Sequence, residues 1–386
     1  MTKHYDFIFA GGGAAGLSLA YQLSRGALGA KSMLIVDPVV KNRNDHTWCF
    51  WTTTPTPVEP VVYRTWERLG FFGEDFEATF DLAPYRYQMV RSIDFYRFMR
   101  EHLGGLPNVD FLRGSVERIV DGPQRAEILV NELTFSGDWV FDSRYRSTEY
   151  RPLTTHYHYL AQHFLGWEIE TPDPVFDPQT PWMFDFRTPQ RGAMRFMYVL
   201  PFSERRALVE YTLFSAELLP QAEYETALRA YIGDVLGVRQ YRILEEERDL
   251  IPMTDHPFPR RAGKRVMNTG TRGGRVKASS GYAFLRIQQD AVAITRSLQK
   301  RGHPFDVPTP PKRYRVFDAM LLQILYRRGD LSKRVFTDLF KKNPIRRIFR
   351  FLNEEGGVGE NLRLMASVPP EPFVRAWIKT QLLRKV

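Results

Sequence analysis

The sequence is organised around residues 5–37, YDFIFAGGGAAGLSLAYQLSRGALGAKSMLIVD. Residues 5–10 are apolar and β-prone, which predicts a buried parallel strand. The six residues that follow contain the spacing G-x-G-x-x-G, and apolar residues at helical spacing occupy 17–23. A second apolar run over 33–36 ends in Asp37. In this order, the features predict a strand, a glycine turn, a helix and a second strand.

Each glycine of the motif has a physical role in binding a dinucleotide. Gly11 allows the tight turn, Gly13 lets a pyrophosphate approach the backbone, and Gly16 lets the helix pack on the strand. The helix N-terminus offers unpaired N–H groups to that pyrophosphate, and Asp37 stands where a carboxylate accepts hydrogen bonds from a ribose. The alternative, a glycine-rich turn in an ordinary βαβ unit, leaves the spacing unexplained. The expected cofactor-binding residues are therefore Gly11, Gly13, Ala14, Gly16 and Asp37.

Composition limits the class of protein. The chain has 386 residues, which is long for one core, so we expect two or three lobes. Aromatic residues make up 14%, a high fraction that suits a large apolar pocket. The net charge of +10 favours an anionic partner such as a membrane surface, a nucleic acid or a phosphorylated cofactor. No nucleic-acid-binding signature accompanies the charge, so we expect no nucleic-acid partner.

Cysteine content and hydropathy indicate the compartment. The single cysteine, Cys49, excludes an internal disulfide framework and a cysteine-built metal site, and we expect no metal. A small buried apolar residue is its ordinary role. No apolar run approaches about eighteen residues, so nothing is expected to span a bilayer. The first strand begins at once, without a signal peptide, which predicts a cytoplasmic protein.

The pattern along the chain predicts an α/β protein with three parts. The middle third consists of β-like segments broken by Pro, Gly and charged turns, which predicts an antiparallel sheet inserted into the nucleotide domain. Near residue 251 the nucleotide-domain character returns, and a second glycine-rich turn leads into a long helix. We expect cofactor binding by residues 1–60, 85–150 and 251–300, substrate binding by 61–84 and 151–250, and helices over 301–386.

The last third is helical and basic by pattern. Between Arg327 and Arg350, nine Lys or Arg stand against two Asp, a net charge of +7. Apolar residues interleave with these charges: Val335, Leu339, Phe340, Ile345, Ile348, Phe349 and Leu352. A basic amphipathic helix of this kind can lie in an anionic membrane interface, which predicts a peripheral protein at the inner face of the cell membrane. The alternative is the solvated face of packed helices.

Much of the chain resembles the bacterial lycopene β-cyclase family. The specific stretches are DHTWCFW at residues 45–51 and ALVEYT at 207–212. The glycine-rich start, FMYVLP at 196–201, IPM at 251–253 and the stretch from Gly270 to Tyr282 add to the resemblance. Two features depart from the family. Tyr211 stands where the family often has a second acid, which weakens a two-carboxylate mechanism, and residues 270–281 are rich in Arg and Ser where Pro and Thr are commoner.

The resemblance implies a fold, an activity and a cofactor. The fold is a glutathione-reductase-type Rossmann FAD-binding domain, shared with aromatic hydroxylases, with an inserted antiparallel substrate sheet. The activity is the conversion of the linear ψ-ends of lycopene into β-rings, through γ-carotene to β-carotene. The reaction has no net redox change, yet the family needs reduced FAD, with electrons from NADPH or a similar donor. We expect Gly270, Gly281 and Tyr282 to contact the flavin.

The chemistry of cyclisation indicates what the site must contain. The terminal double bond receives a proton, the ring closes through a tertiary cation, and a neighbouring proton leaves. The enzyme therefore needs a dry acid, a base, and negative charge or π-faces near the cation. Glu210 is the predicted acid, because apolar residues precede it and Tyr211 follows it, and burial would raise its pKa. An exposed charge alternating on a strand is the alternative.

Three aromatic residues near the start of the chain are the predicted substrate contacts. Trp48, Phe50 and Trp51 would offer π-faces to the cation or to the polyene. The alternative is that these rings belong to the ordinary core.

Two other functions fit the same fold. A redox flavoprotein, such as a monooxygenase or a prenyl or geranylgeranyl reductase, would consume NADPH in step with product. A non-catalytic prenyl-lipid carrier would keep the fold without binding flavin, and the intact glycine motif with Asp37 argues against it.

Overall fold

The computed structural model describes residues 2–146 and 156–383. The strands are β1 (Lys3–Ala10), β2 (Met33–Asp37), β3 (Thr47–Thr52), β4 (Val62–Trp66), β5 (Arg68–Phe72), β6 (Glu77–Asp81), β7 (Arg86–Arg91), β8 (Val109–Arg113), β9 (Val116–Val120), β10 (Ala126–Val130), β11 (Leu133–Asp142), β12 (Tyr159–Glu170), β13 (Trp182–Asp185), β14 (Met194–Pro201), β15 (Arg206–Ser215), β16 (Arg242–Thr254) and β17 (Val266–Asn268). The α-helices are α1 (Ala14–Ser24), α2 (Ser92–Gly104), α3 (Gln221–Ala230), α4 (Phe284–Arg301), α5 (Lys312–Arg328), α6 (Ser332–Lys342), α7 (Ile345–Leu352), α8 (Val358–Met365) and α9 (Pro370–Leu383).

The first sheet carries the predicted nucleotide-binding unit. Its strands lie in the order β8-β2-β1-β11-β10-β9, and β17 pairs with β11. The pairs β8–β2, β2–β1, β1–β11 and β11–β17 are parallel, and β1 and β2 are buried as the sequence predicted for strands covered by helices. Helix α1 follows the glycine turn and packs against α4. The predicted strand–turn–helix–strand unit is confirmed, with Asp37 at the end of β2.

The second sheet is the predicted inserted sheet. Its order is β16-β12-β15-β14-β13-β5-β6, and its pairs are antiparallel except β13–β5. The central strands β12 and β15 are buried along almost their whole length, because α3 covers one face and other parts of the chain cover the second. The domain boundary expected at residues 250–251 falls inside β16, which still pairs with β12 there. The boundary expected at residues 150–151 lies outside the described residues.

A small sheet, β3-β7-β4, connects the two halves. Side chains of β3 alternate between two hydrophobic cores: Trp48 and Phe50 pack in the core under the first sheet, and Cys49 and Trp51 pack in the core under the second. Strand β4 belongs here, whereas the sequence had assigned its residues to the inserted sheet; β5 and β6 do lie in that sheet.

The C-terminal helices α5 to α9 pack onto the inserted sheet, and they bury the apolar residues of the basic segment. Val335, Leu339, Phe340, Ile345, Ile348 and Phe349 are all buried, and Leu352 is partly buried. The Phe340 ring stacks on Phe71 with centroids 4.2 Å apart. The predicted insertion of this apolar face into a membrane is therefore wrong, because the same side chains already fill the protein core. Within the described residues, none of the helices has the length and hydropathy needed to span a bilayer.

Candidate functional site

A cavity of about 340 Å³ lies where the glycine turns of the first half face the inserted sheet. Backbone turns form one wall, with Gly13, Ala14, Ala15, Gly270, Thr271, Ser280 and Gly281. Strands of the second sheet form the opposite wall, with Gln162, Phe164, Tyr198, Leu208, Glu210 and Glu247. Trp48, Cys49, Tyr87, Tyr282 and Phe284 close the space between these walls. The first wall is mainly backbone, and the second is mainly side chains.

The first glycine turn leaves open space beside the start of α1. A Cβ atom built on Gly13 would meet no atom within 4 Å, whereas one on Gly16 would lie 2.0 Å from the carbonyl oxygen of Gly11. Gly16 therefore allows the close helix–turn packing, and Gly13 leaves the backbone accessible to a bulky anion. Asp37 accepts a hydrogen bond from the Gly12 N–H (2.7 Å) and lines a second cavity of about 360 Å³ on the other side of the turn.

The second glycine turn meets the inserted sheet directly. Gly281 has φ +73°, and a Cβ atom there would lie 2.0 Å from Oε1 of Gln162. Any other residue at this position would therefore have an unfavourable backbone conformation, and its Cβ atom would also clash with Gln162. In the part of the chain that the structure describes, Oε1 of Gln162 and the hydroxyl of Ser280 are buried without a hydrogen-bond partner, and both residues line the cavity. Such atoms mark a place where a polar ligand edge can bind.

A buried ion cluster holds this turn against the C-terminal helices. The ammonium of Lys277, whose side chain is only 2% exposed, lies 2.8 Å from Oδ1 of Asp318 and 3.1 Å from Oε1 of Glu354. The Ser279 hydroxyl donates to the same Asp318 oxygen (2.6 Å), and Arg286 pairs with Glu354 (3.0 Å). Because these charges are buried and mutually paired, the cluster fixes the turn in position.

Glu210 projects from β15 into the cavity wall. It is 8% exposed, and its Oε1 accepts a hydrogen bond from the Thr212 hydroxyl (2.5 Å). Burial, followed by the negative charge of Glu247, raises the pKa of the Glu210 carboxyl to about 8, against a smaller lowering effect of Thr212. Burial therefore favours the protonated form of this carboxyl. The alternative of an exposed charge on a strand does not hold.

Glu247, on β16, is a second carboxylate in the cavity wall that sequence reasoning missed. It is 7% exposed, and Thr47 donates to both of its oxygens, from the backbone N–H (2.7 Å) and from the hydroxyl (2.5 Å). Burial raises the pKa of Glu247, while the Thr47 hydrogen bonds act in the opposite direction. No local pattern marks it, since Glu247 stands in the charged run EEER at residues 245–248, which is typical of a solvated segment.

The predicted aromatic contacts divide between the cavity and the core. Trp48 lines the cavity and stacks on Phe284 with centroids 4.7 Å apart. Phe50 and Trp51 are 3% exposed and do not reach the cavity wall, and Trp51 stacks instead on Phe349 at 4.6 Å. For these two rings the core alternative is the observed one.

Other rings, which the sequence did not single out, face Glu210. Tyr198 pairs directly with Glu210 across β14 and β15, and its hydroxyl lies 3.1 Å from that of Tyr282. Tyr87 and Phe164 also line the cavity. Burial raises the pKa of Tyr87 and Tyr198 well above the ordinary tyrosine value, so both hydroxyls stay neutral. The carboxyl is thus surrounded by uncharged aromatic groups.

The arrangement fits an FAD molecule. The cavity beside Asp37 suits an adenosine, the open backbone at Gly13 suits a pyrophosphate, and the larger cavity beyond it suits a ring system. The unpartnered polar atoms of Gln162 and Ser280 would meet the polar edge of that ring. Of the predicted contacts, Gly13, Ala14, Gly270, Gly281 and Tyr282 line the larger cavity and Asp37 lines the smaller one, while Gly11 and Gly16 shape the turn between them.

Comparison with known proteins identifies relatives along the whole chain. The family model described as lycopene cyclase protein matches residues 6–378. A lycopene beta-cyclase of Pseudescherichia vulneris is 24% identical over 391 residues, which cover 96% of each chain. A lycopene beta cyclase of Capsicum annuum is 24% identical, covering 87% of this chain and 72% of its own. A lycopene beta-cyclase of a Paracoccus species is 29% identical, covering 55% and 57%.

Solved structures share the fold at low sequence identity. A flavoprotein/dehydrogenase of Cytophaga hutchinsonii has a TM-score of 0.64 at 12% identity, over 99% of both chains. A geranylgeranyl bacteriochlorophyll reductase-like protein of Thermoplasma acidophilum has a TM-score of 0.62 at 12% identity, over 98% of this chain and 100% of its own. HpxO of Klebsiella pneumoniae, complexed with FAD, has a TM-score of 0.55 at 16% identity, over 95% and 100%. The predicted fold class, a Rossmann flavoprotein fold with an inserted sheet, is confirmed.

Proposed function

Because the chain belongs to the lycopene cyclase family, we propose that it cyclises the linear ψ-ends of lycopene to β-rings without net redox change. The single observation that carries the proposal is Glu210. This carboxyl is buried in the cavity wall, burial raises its pKa and so favours the protonated form, and it lies opposite glycine turns that fit a flavin. A dry, neutral carboxylic acid is the group that proton-initiated closure of a polyene requires.

Glu210 delivers the proton that starts the reaction. The proton adds to the terminal double bond of the polyene, the new tertiary cation is attacked by a neighbouring double bond, and the ring closes. A proton next to the ring cation then leaves, and the Glu210 carboxylate is the base that takes it back. Substrate and product have the same composition, and the acid is regenerated for the second end of the molecule.

The cavity wall stabilises the positive charge and excludes water. The neutral rings of Tyr198, Tyr282 and Trp48 offer π-faces on the side from which Glu210 projects. Water would capture the cation as an alcohol, so the apolar lining, with Phe164 and Leu208, protects the intermediate.

Reduced FAD is the proposed cofactor, held by the residues that fit it. Gly13 and the N-terminus of α1 receive the pyrophosphate, Asp37 receives the ribose, and Gly270, Gly281 and Tyr282 border the ring. The electron-rich reduced isoalloxazine supplies negative charge that stabilises a nearby cation. NADPH or a similar donor is the proposed source of its electrons. The division into a cofactor part, a substrate part and C-terminal helices is proposed with it.

The substrate is insoluble in water, and we propose that the protein meets an anionic membrane surface, at the inner face of the cell membrane, through α9. This helix is apolar on two sides. Phe373 and Ala376 are buried against the core, whereas Val374, Trp377 and Ile378 are 55%, 49% and 48% exposed. Exposed apolar residues that include a tryptophan are typical of a helix lying in a bilayer interface.

Charge beside α9 is complementary to an anionic bilayer. A groove of about 830 Å³ lies between α5, α6 and α9. Its basic residues are Arg327, Arg328, Arg334, Arg375 and Lys379, and its acidic residue is Glu371. Each basic group near an anionic membrane contributes about 1 kcal/mol of attraction. This surface replaces the apolar face of α6 and α7 as the proposed membrane contact.

Vesicle binding tests the membrane contact. The protein with Trp377→Ser and Ile378→Ser should bind vesicles containing anionic phospholipid several-fold more weakly than wild type in a sedimentation assay. The matched control carries Phe340→Leu, a change in the buried face of α6, and should bind as wild type does. Equal binding by wild type and the α9 variant would exclude α9 as the membrane contact.

Pigment conversion tests the main proposal. Expression in a bacterium that accumulates red lycopene should give yellow-orange β-carotene with wild type and unchanged lycopene with Glu210→Gln. Glu246→Gln is the control, because it makes the same change of side chain at an exposed position on β16. Conversion by Glu210→Gln at the wild-type rate would remove Glu210 from the mechanism, and consumption of NADPH in step with product would favour a redox flavoprotein.

A further inference from the structure

Glu210 on β15 and Glu247 on β16 occupy the same register position on the two strands that flank β12. In the register of the inserted sheet, Gly166 of β12 pairs with Glu210 of β15 on one side and with Glu247 of β16 on the other. Residues paired across neighbouring strands point to the same face, so both carboxyl groups project on the face of the sheet that lines the cavity. Neighbouring strands are about 4.8 Å apart, which places the two glutamate backbones about 10 Å apart.

Gly166 leaves the space between the two carboxyl groups empty of side chain. A Cβ atom built there would lie 3.4 Å from Cβ and Cγ of Glu210 and 3.0 Å from Cδ1 of Leu208. An alanine here would therefore press on the Leu208 side chain and stand in van der Waals contact with Glu210. With glycine at this position, the two acidic side chains face each other across bare backbone.

The two carboxyl groups are held differently, and the difference assigns their protonation states. Thr47 donates to both oxygens of Glu247, and an ionised carboxylate is the better acceptor of two hydrogen bonds. Glu210 receives one from Thr212 and is otherwise bordered by aromatic and aliphatic groups. A negative charge on Glu247 disfavours a second one on Glu210 in the same apolar wall, so these contacts place the charge on Glu247 and the proton on Glu210.

We propose, on the basis of the proposed cyclase function, that Glu247 is a positioning residue whose fixed negative charge keeps the proton on Glu210. The second acid is not at position 211, where Tyr211 stands. It is Glu247, on the neighbouring part of the sheet formed by β16. The two-carboxylate arrangement that Tyr211 argued against is thereby restored by a residue from another strand.

Other groups near the pair do not replace Glu247 in this role. Asp249 raises the pKa of both carboxyl groups, although its effect on Glu210 is smaller than that of Glu247, and His46 lowers the pKa of Glu247. Cys49, Tyr198 and Tyr282 are the titratable groups beside Glu210. His46 and Asp249 are 3.2 Å apart and pair with each other. Cys49, Tyr198 and Tyr282 are neutral in this setting, because burial raises the pKa of each well above its ordinary range.

The pH profile of the flavin-loaded enzyme tests the proposal. Turnover by wild type should fall as pH rises through the range where Glu210 ionises. In Glu247→Gln the like charge is gone, so this fall should move by about one pH unit or more toward acid. Activity at pH 8 should then drop about tenfold, while activity at pH 6 stays within about twofold of wild type. Glu246→Gln should leave the profile unchanged.

Two outcomes for Glu247→Gln would overturn the proposal. In the first, the fall in turnover at alkaline pH does not move. In the second, activity is lost equally at all pH values. The uniform loss is what a merely structural role predicts. Glutamine keeps an acceptor for the Thr47 N–H, so we expect the variant to fold, and Thr47→Val is a second variant. Loss of the Thr47 hydroxyl, a donor that holds the negative charge on Glu247, should let the proton pass toward Glu247 and move the alkaline decline in activity toward acid as well. A shift toward alkali would contradict the proposal.

An infrared measurement tests the charge pair without turnover. The difference spectrum between wild type and Glu210→Gln should contain a protonated-carboxyl band that persists above neutral pH. In a Glu247→Gln background the same band should disappear at a lower pH. A band that disappears at the same pH in both backgrounds would overturn the role of Glu247. The two proposals can fail separately. If wild type leaves lycopene unchanged in every assay but the band still disappears at a lower pH in the Glu247→Gln background, only the cyclase function is refuted.

Discussion

The two walls of the cavity differ in how the chain builds them. The glycine wall uses backbone from a contiguous motif, residues 11–16, and a second turn at residues 270–281. The carboxylate wall combines Glu210, Glu247 and Gly166 from three strands that meet only through sheet register. A cofactor cradle made of backbone leaves a local signature in the sequence. A catalytic wall made of side chains leaves one only if its members are neighbours along the chain.

The largest expected effect separates the two walls by function. Glu210→Gln should lower turnover of lycopene by about 10²- to 10⁴-fold, the usual contribution of a positioned acid, while the purified protein keeps its flavin. Turnover is measured by pigment chromatography and flavin content by absorbance. Loss of flavin from this variant would mean that the carboxylate wall also holds the cofactor, and the distinction between the walls would fail.

The converse change is in the glycine wall. Gly13→Ala adds a methyl group where no atom lies within 4 Å, and Gly13 has φ −86°, which alanine adopts freely. The fold should be unchanged, yet the methyl group occupies the space proposed for the pyrophosphate, so flavin affinity should fall about tenfold or more. Circular dichroism and flavin titration measure the two effects. Gly359→Ala, at the start of α8, is the control, because Gly359 also faces open space and lines neither of the two cavities. Undiminished flavin binding by Gly13→Ala would place the pyrophosphate elsewhere.

Stability as a function of pH gives a third contrast. The folded-state pKa of Glu210, about 8, lies above its unfolded value, so its stabilising contribution is complete below about pH 4.5 and is lost as pH rises through 8. Glu210→Gln carries no such proton. Its free energy of unfolding relative to wild type should therefore rise by at least about 1 kcal/mol between pH 6 and pH 9. Denaturant titration measures this difference. If the difference in free energy of unfolding does not change with pH, Glu210 is ionised in the folded protein over the whole range. The control is the exposed Glu246→Gln, for which this difference should not change with pH.

The smallest expected effect distinguishes a cavity-lining residue of β3, Trp48, from a core residue of the same strand, Phe50. Phe50→Leu should cost about 1 kcal/mol of stability, because Phe50 is buried, and should leave turnover per folded protein unchanged. Trp48→Leu should lower turnover, because Trp48 lines the cavity. Denaturation and pigment assays on both variants measure this. A turnover defect in Phe50→Leu equal to that of Trp48→Leu would return Phe50 to the substrate site.

The sequence predicted the glycine wall and the acid but not the second acid. The spacing within residues 5–37 indicated the glycine turn by itself. Glu210 was predicted from its apolar neighbours together with the resemblance of ALVEYT at 207–212 to the family. Glu247 lies in a charged run, and its burial depends on β16 pairing with β12 over the cavity. Register of this kind is a long-range property that no window of sequence contains.

The C-terminal helices show a second limit of sequence patterns. The spacing of Val335, Leu339 and Phe340 indicates an amphipathic helix, but the same pattern serves a helix that packs on protein and one that lies on lipid. Here the apolar face of α6 packs on protein. The exposed apolar residues lie on α9, where Trp377 and Ile378 stand beside positions that are buried. Only the tertiary structure distinguishes these two faces.

The buried cluster around Lys277 connects the C-terminal helices to the proposed flavin site. Asp318 comes from α5 and Glu354 follows α7, and both neutralise a lysine that belongs to the second glycine turn. A truncation that removed α5 to α9 would strand this cation in an apolar setting, and breaking a buried pair costs about 3–5 kcal/mol. Helix α9, the proposed membrane contact, packs on α5, the helix that supplies Asp318. The proposed membrane contact and the second glycine turn therefore share α5 as a common neighbour.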